Sequence, residues 1–406
     1  MPWTAPLALI ALLSLPATAA AAPPRALSAQ EKLGKRLFFD EDLSANRNQS
    51  CASCHAPAFG TTGDASAVNA TGAVYEGSVP GRFGNRKPPS AAYAGASPRL
   101  HLDEEKQWVG GMFWDGRATG DTLGDPLAEQ AQGPFLNPLE HALPDAAELV
   151  KRVCAASYGP AFRAAWGKQA CSGDAQADYA RIGRSIAAYE RSAELSPFSS
   201  KYDAVLAGKA ELTPREASGL ALFVGAGKCA ECHPATPGPK GEPPLFTDFT
   251  YDNLGMPRNP LNPFAFQAEA NPAGTAWVDE GLGGALRERG LPAAVHEPEL
   301  GKFKVPTLRN VDLRPRSKKA PAGEPSKAYG HNGYFKSLRE VVHFYNTRDS
   351  LPACPPGSKG EKVTCWPAPE MSRNVNKEEM GNLGLTPAQE EDIVAFLRTL
   401  SDGWRN

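Results

Sequence analysis

The chain lacks a charge excess of either sign, and it lacks any apolar run approaching the ~20 residues that a bilayer crossing needs. Its formal net charge is −2 over 406 residues. Nothing in that balance calls for nucleic acid or an anionic membrane as partner. The apolar stretch Leu7 to Leu15, broken only by Ser14, is too short for an anchor. With the small residues Ala17 to Ala22 behind it, it reads as a secretory signal over residues 1–22, cleaved after Ala20 or Ala22. The mature chain is then a periplasmic protein with no membrane span. A large sheet is not expected either. Proline (38) and glycine (39) are plentiful, which favours ordered loops joining short helices. Hydrophobic residues are 41% and charged residues 22%, as in soluble globular proteins, and the length suits two domains.

What the chain does have is eight cysteines in two groups. Four fall in two Cys-x-x-Cys-His motifs, Cys51-Cys54-His55 and Cys229-Cys232-His233. The others are two pairs close in sequence, Cys154 with Cys171 and Cys354 with Cys365. Export permits disulfides, so each pair reads as a staple across a loop; free thiols are the alternative.

In a Cys-x-x-Cys-His motif the thiols add to the two vinyl groups of a haem, and the histidine takes one axial position on its iron. A thioredoxin-like redox site does not require the histidine. A zinc site needs two more nearby Cys or His ligands, which neither motif has. Two covalently bound haem c groups are expected, with His55 and His233 as proximal ligands. The opposite axial position decides function. A strong ligand there makes an electron carrier, and an open position lets peroxide bind. Between His55 and Glu140 the only candidate ligands of the His or Met type are His101 and Met112. A carboxylate such as Glu140, placed beside an open iron, could take a proton from peroxide and return it to the departing oxygen. Taken alone, Glu140 reads as a surface residue.

The chain repeats itself once. Leu27 through Phe38 aligns without gaps with Leu212 through Phe223. Both segments open on a capping box, Ser28 with Glu31 and Thr213 with Glu216, and both run toward a Cys-x-x-Cys-His. Thr386 with Gln389 caps a third helix, whose Ile393, Phe396, Leu397 and Leu400 share one face. Ile182, Ile186 and Tyr189 supply the matching face for the first half. The fold class expected is mainly α: two cytochrome c-like domains with long ordered loops, residues 23–205 and 206–406, each around one haem. The segment between Pro234 and Pro325 has little periodicity and reads as ordered loop, since its aromatics, Phe266 among them, argue for packing. In a helix capped by a Ser337–Glu340 box, Leu338, Val341, Val342 and Tyr345 share one face, and His343 points off it. On this pattern alone Tyr345 is a core tyrosine.

These strings together resemble the bacterial di-haem cytochrome c peroxidase superfamily, in its MauG-like branch. The resemblance spans nearly the whole mature chain. It is carried by Leu33-Gly34-Lys35-Arg36-Leu37-Phe38-Phe39-Asp40, by Phe113-Trp114-Asp115-Gly116-Arg117-Ala118, and by Gln130 through Pro134 to Glu140. It continues in Phe303-Lys304-Val305-Pro306-Thr307-Leu308-Arg309-Asn310 and in His331-Asn332-Gly333. It implies that the first haem meets peroxide and the second handles electrons. Gln130 and Glu140 match the family's distal-pocket pair, and Trp114 matches the tryptophan between the haems. Val79 stands where ordinary members have a distal histidine, which implies a first iron without a sixth protein ligand. Tyr345 stands where ordinary members have a distal methionine, which implies tyrosinate ligation of the second iron. The family holds calcium between the haems, but the matching positions here are Lys87 and Ser326-Lys327-Ala328. A cation donor cannot ligate calcium, so calcium is not expected.

The resemblance implies an enzyme that uses hydrogen peroxide to oxidise Trp or Tyr side chains of a partner protein, through a high-valent state shared by both haems. The alternative is a cytochrome c peroxidase that reduces peroxide with electrons from a small cytochrome or cupredoxin. A plain electron carrier is the third reading, and Gln130 with Glu140 argue against it.

Overall fold

A computed structural model describes residues 25–315 and 325–405; the expected signal, residues 1–22, lies outside them. The fold is mainly α, and the only strands named among the described residues are two antiparallel pairs of two residues each.

The repeat is visible in how the helices start and how they cross. Ser28 Oγ accepts the Glu31 N–H while the Glu31 carboxylate accepts the Ser28 N–H. Thr213 with Glu216 and Thr386 with Gln389 are reciprocal in the same way. Each box satisfies N–H groups that the first turn leaves without partners. Helix Ala29–Phe38 packs on helix Ala175–Glu190, and helix Pro214–Val224 packs on Pro387–Arg398. At each crossing a glycine faces a backbone carbonyl of the other helix, and the two glycines are equivalent in the repeat. A Cβ on Gly34 would lie 1.8 Å from the Ser185 carbonyl oxygen, and one on Gly219 would lie 1.9 Å from that of Asp392.

Two apolar cores result. Leu33, Leu37 and Phe38 pack with Ile182, Ile186 and Tyr189 in the first. Phe223 packs with Ile393, Phe396, Leu397 and Leu400 in the second. Each such side chain fully buried contributes roughly 1.5–3 kcal/mol. Cys154 pairs with Cys171 and Cys354 with Cys365, as the spacing suggested.

The stretch after Pro234 is more regular than its sequence suggests. It holds helix Gly281–Glu288, whose Leu282, Ala285 and Leu286 are buried, and strands at 251–252 and 303–304. Phe246, Tyr251 and Phe264 are buried, but Phe266 is 69% exposed and does not pack as expected. This stretch is tied to the first half by Arg86, which bonds Asp115 at 2.5 Å and Asp279 at 2.7 Å. Burial alone would raise the Asp115 carboxyl, but Arg86 and Arg117 hold it at about 2.

Candidate active site

Each Cys-x-x-Cys-His loop opens into a large cavity. The first is lined by Cys51, Cys54 and His55. The second is lined by Cys229, Cys232 and His233. The histidines are set in the same way. Nδ1 of His55 lies 3.1 Å from the Thr61 carbonyl, and Nδ1 of His233 lies 2.7 Å from that of Phe246. A proton on Nδ1 makes each a donor there and leaves the Nε2 lone pair for a metal. Burial keeps both rings neutral, with His233 pushed down to about 4. The four motif cysteines are not paired with one another. Burial pushes the Cys54 and Cys229 thiols up to about 12, the opposite of a reactive thiolate. Neutral thiols beside a neutral imidazole, facing a wide cavity, fit a covalently held haem better than zinc or a redox dithiol.

In the first cavity the structure brings together Gln130, Glu140 and Trp114. Gln130 sits on helix Pro126–Leu136, which Asp125 caps and Pro126 opens. Glu140 follows where that helix ends, and its Oε1 accepts a 2.9 Å bond from Asn137 Nδ2. Burial raises the Glu140 carboxyl above its ordinary range, against the pull of Arg117. The Arg117 guanidinium lies over the Phe113 ring, 3.6 Å from its centre. Glu140 is therefore a cavity residue, not the surface residue it resembled in isolation. His101 is exposed and bonds the Arg99 carbonyl, outside the cavity lining. Val79 is also outside it, whereas Met112 lines the cavity.

Two residues of this cavity escaped the sequence reading. His141 lines it with Nδ1 near the Leu43 carbonyl, and burial pushes its imidazole down to about 4. Glu190, at the end of helix Ala175–Glu190, is 4% exposed, and its Oε2 has no hydrogen-bond partner among the described residues. Burial lifts its carboxyl to about 8. The Ile182–Ile186–Tyr189 stripe marks that helix as buried, but only the cavity shows that its last residue carries chemistry.

In the second cavity Tyr345 lines the wall with Leu338, Val341 and Val342. They share the predicted face of helix Leu338–Thr347, and His343 turns away to Glu390. The cap differs in one respect: Ser337 Oγ takes the Glu340 N–H, but the Glu340 carboxylate takes the Lys336 N–H. Burial and the nearby motif cysteines push the Tyr345 phenol well above its ordinary value, and Arg348 opposes them. Met256, Met371 and Met380 also line this cavity, so thioethers are present beside the phenol.

Trp114 belongs to both cavities. It is 8% exposed, and with Lys87, Pro89 and Ser90 it lines each of them. Its Nε1–H donates to the Lys87 carbonyl at 2.8 Å. The string Phe303 to Asn310 and His331 line the second cavity as well.

Residues 28–211 match the family described as di-haem cytochrome c peroxidase. The chain is 36% identical to the methylamine utilization protein MauG of Paracoccus denitrificans, over 98% of this chain and 94% of that protein. It is 28% identical to a cytochrome-c peroxidase, IdrP1, of Denitromonas iodatirespirans, over 91% of this chain and 80% of the relative. The solved structure of the diheme peroxidase BthA from Burkholderia thailandensis superposes with a TM-score of 0.74 at 33% identity, covering 94% of this chain and 88% of that one. The identity to MauG over nearly the full length of both chains, together with the family match, places the chain in the di-haem cytochrome c peroxidase family as an enzyme.

Proposed function

We propose that this chain is an exported haem c enzyme that uses hydrogen peroxide to oxidise tryptophan or tyrosine side chains of a partner protein. Residues 23–205 form its peroxide-handling domain and 206–406 its electron-transfer domain. The observation that carries this reading is Trp114, one indole lining both cavities. It suits a reaction whose substrate is too large to reach the peroxide and must be oxidised at a distance. Haem at the two motifs would supply a redox-active iron to which peroxide can bind. The chain's own groups do the rest. His55 and His233 would hold the irons through Nε2, and Tyr345, which lines the second cavity from helix Leu338–Thr347, would be a further candidate ligand there. Glu140, ionised and oriented by Asn137, takes a proton from peroxide and returns it to the departing oxygen. Gln130 lines the same cavity as a hydrogen-bonding neighbour. Each peroxide takes two electrons and two protons and leaves as two waters, and the electrons come from the partner's side chain. Among the described residues no helix is long and apolar enough to cross a membrane.

The test is to add one equivalent of peroxide to the fully oxidised protein and follow the Soret band and both ferric EPR signals. The reading expects both signals to fall together and a mixed-in partner to gain a covalent modification detectable by mass spectrometry. If nothing changes until one haem is reduced beforehand, and reduced cytochrome or cupredoxin is then turned over many times, the chain is an ordinary peroxidase. The resemblance to a protein named as a cytochrome-c peroxidase supports that second reading.

A further inference from the structure

We infer that the ammonium group of Lys327 is a built-in cation that ties the second half of the chain to the proximal loop of the first haem site. The seam between the cavities is thereby closed by a side chain and not by a metal ion. Lys327 is 3% exposed, and its Nζ donates to three main-chain carbonyls: Phe59 at 2.9 Å, Asn310 at 3.1 Å and Leu313 at 3.0 Å. An ammonium has three N–H donors and no acceptor, so three donors meet three acceptors. A neutral amine would have one donor fewer and would turn a lone pair toward a carbonyl.

The cage is held from both sides. Phe59 belongs to the first half, Asn310 and Leu313 to the second. The backbones approach so closely that a Cβ on Gly60, at φ +71°, would lie 2.9 Å from the Asn310 oxygen. Asn310 is itself in the left-handed region at φ +60°. It is fixed there by its N–H on the Leu400 carbonyl and its Nδ2 on Asp402. The loop that Lys327 grips is closed by the Ala56–Thr62 bridge. Two residues beyond Phe59 in that loop, the Thr61 carbonyl sits against His55 Nδ1. Lys327 is thus a positioning residue for the first proximal histidine.

Among the described residues a divalent ion has no free seat here. The three carbonyls are taken, and the neighbouring cation Lys87 places its own Nζ on Thr62 Oγ1 at 2.7 Å and the Pro88 carbonyl at 2.9 Å. Burial pushes Lys327 down to about 7; Lys87 and Arg314 press the same way, and Asp312 favours the ammonium.

The inference rests on His55 holding the first haem, and the test separates the two. In the haem-loaded full chain, calcium content is measured by mass spectrometry, and ferric EPR is recorded before and after EGTA, for wild type and Lys327→Met. We expect sub-stoichiometric calcium, wild-type spectra indifferent to EGTA, and an altered first-haem signal in Lys327→Met with the second-haem signal unchanged. One calcium per wild-type chain whose removal alters the spectra would overturn the inference. So would a Lys327→Met protein with a wild-type first-haem signal. Should Lys327→Met not accumulate, the EGTA arm on wild type decides alone. Fewer than two covalent haems per wild-type chain in a haemochrome assay would instead sink the haem reading on which the clamp depends.

Discussion

Glu140 combines two properties a proton relay needs: burial raises its carboxyl above the ordinary range, and Asn137 fixes one of its oxygens. A base works only when ionised. As pH falls, Glu140 is protonated earlier than an exposed glutamate would be, so the peroxide reaction should slow with a midpoint above that of an exposed glutamate. Stopped-flow Soret traces across the acid range check this. Glu140→Gln should lose roughly 10²–10⁴-fold in rate and that acid limb with it. Tyr345 poses a different question, because Met256, Met371 and Met380 share its cavity. A phenolate stabilises ferric iron relative to a thioether, so Tyr345→Phe should raise the reduction potential of the second haem in spectroelectrochemistry. An unchanged potential and spectrum would assign the ligand to a methionine. At this scale the sequence speaks where a motif narrows the chemistry, as Cys-x-x-Cys-His does. It is mute where burial creates the chemistry: Glu190 and His141 look ordinary until the fold turns them into the first cavity.

At the level of helices, the repeat shows both what a sequence announces and what it withholds. The capping boxes at Ser28, Thr213 and Thr386 are local, four residues each, and all three form. The aligned glycines are legible as a coincidence but not as a cause, because the carbonyls they meet come from Ser185 and Asp392, more than a hundred residues away. Alanine is the better helix former by roughly 1 kcal/mol. Yet a Cβ within 2 Å of a backbone oxygen has no rotamer to escape into, and the helices must part. Gly34→Ala and Gly219→Ala should therefore destabilise, each by about 1–3 kcal/mol, as overpacked cores do. A melting temperature that rises instead would show that the crossings relax. Helix Gly281–Glu288 went unread for a related reason. Gly281, Gly283 and Gly284 lower its intrinsic preference, while a Cβ on Gly283 would lie 2.5 Å from the Leu300 nitrogen. Close packing there selects glycine and erases the local helix signal.

Across the whole molecule the decisive feature is the wall between the cavities, and no local pattern could have placed it. It is assembled from Lys87, Pro89, Ser90 and Trp114, and braced by Arg86 reaching Asp279 193 positions away. Trp114 was legible only through resemblance, since an isolated tryptophan is more often core than conduit. Its surroundings now make a sharp prediction. Trp114→Phe keeps an aromatic wall and the main-chain bond from Lys304 to the residue 114 carbonyl. It removes the Nε1–H donated to the Lys87 carbonyl, a loss on the order of 1 kcal/mol. The protein should fold and carry both haems, and the first site should still consume peroxide with Glu140 in place. Phenylalanine is far harder to oxidise than indole, so oxidising equivalents would no longer pass easily between the two sites. Oxidation of the partner protein should slow by at least about tenfold, equivalent to ~1.4 kcal/mol of barrier. Rapid-quench assays of partner modification, set against peroxide consumption in the same samples, separate the two effects. Equal slowing of both would mean a damaged first site, and slowing of neither would mean that electrons cross the wall by another route.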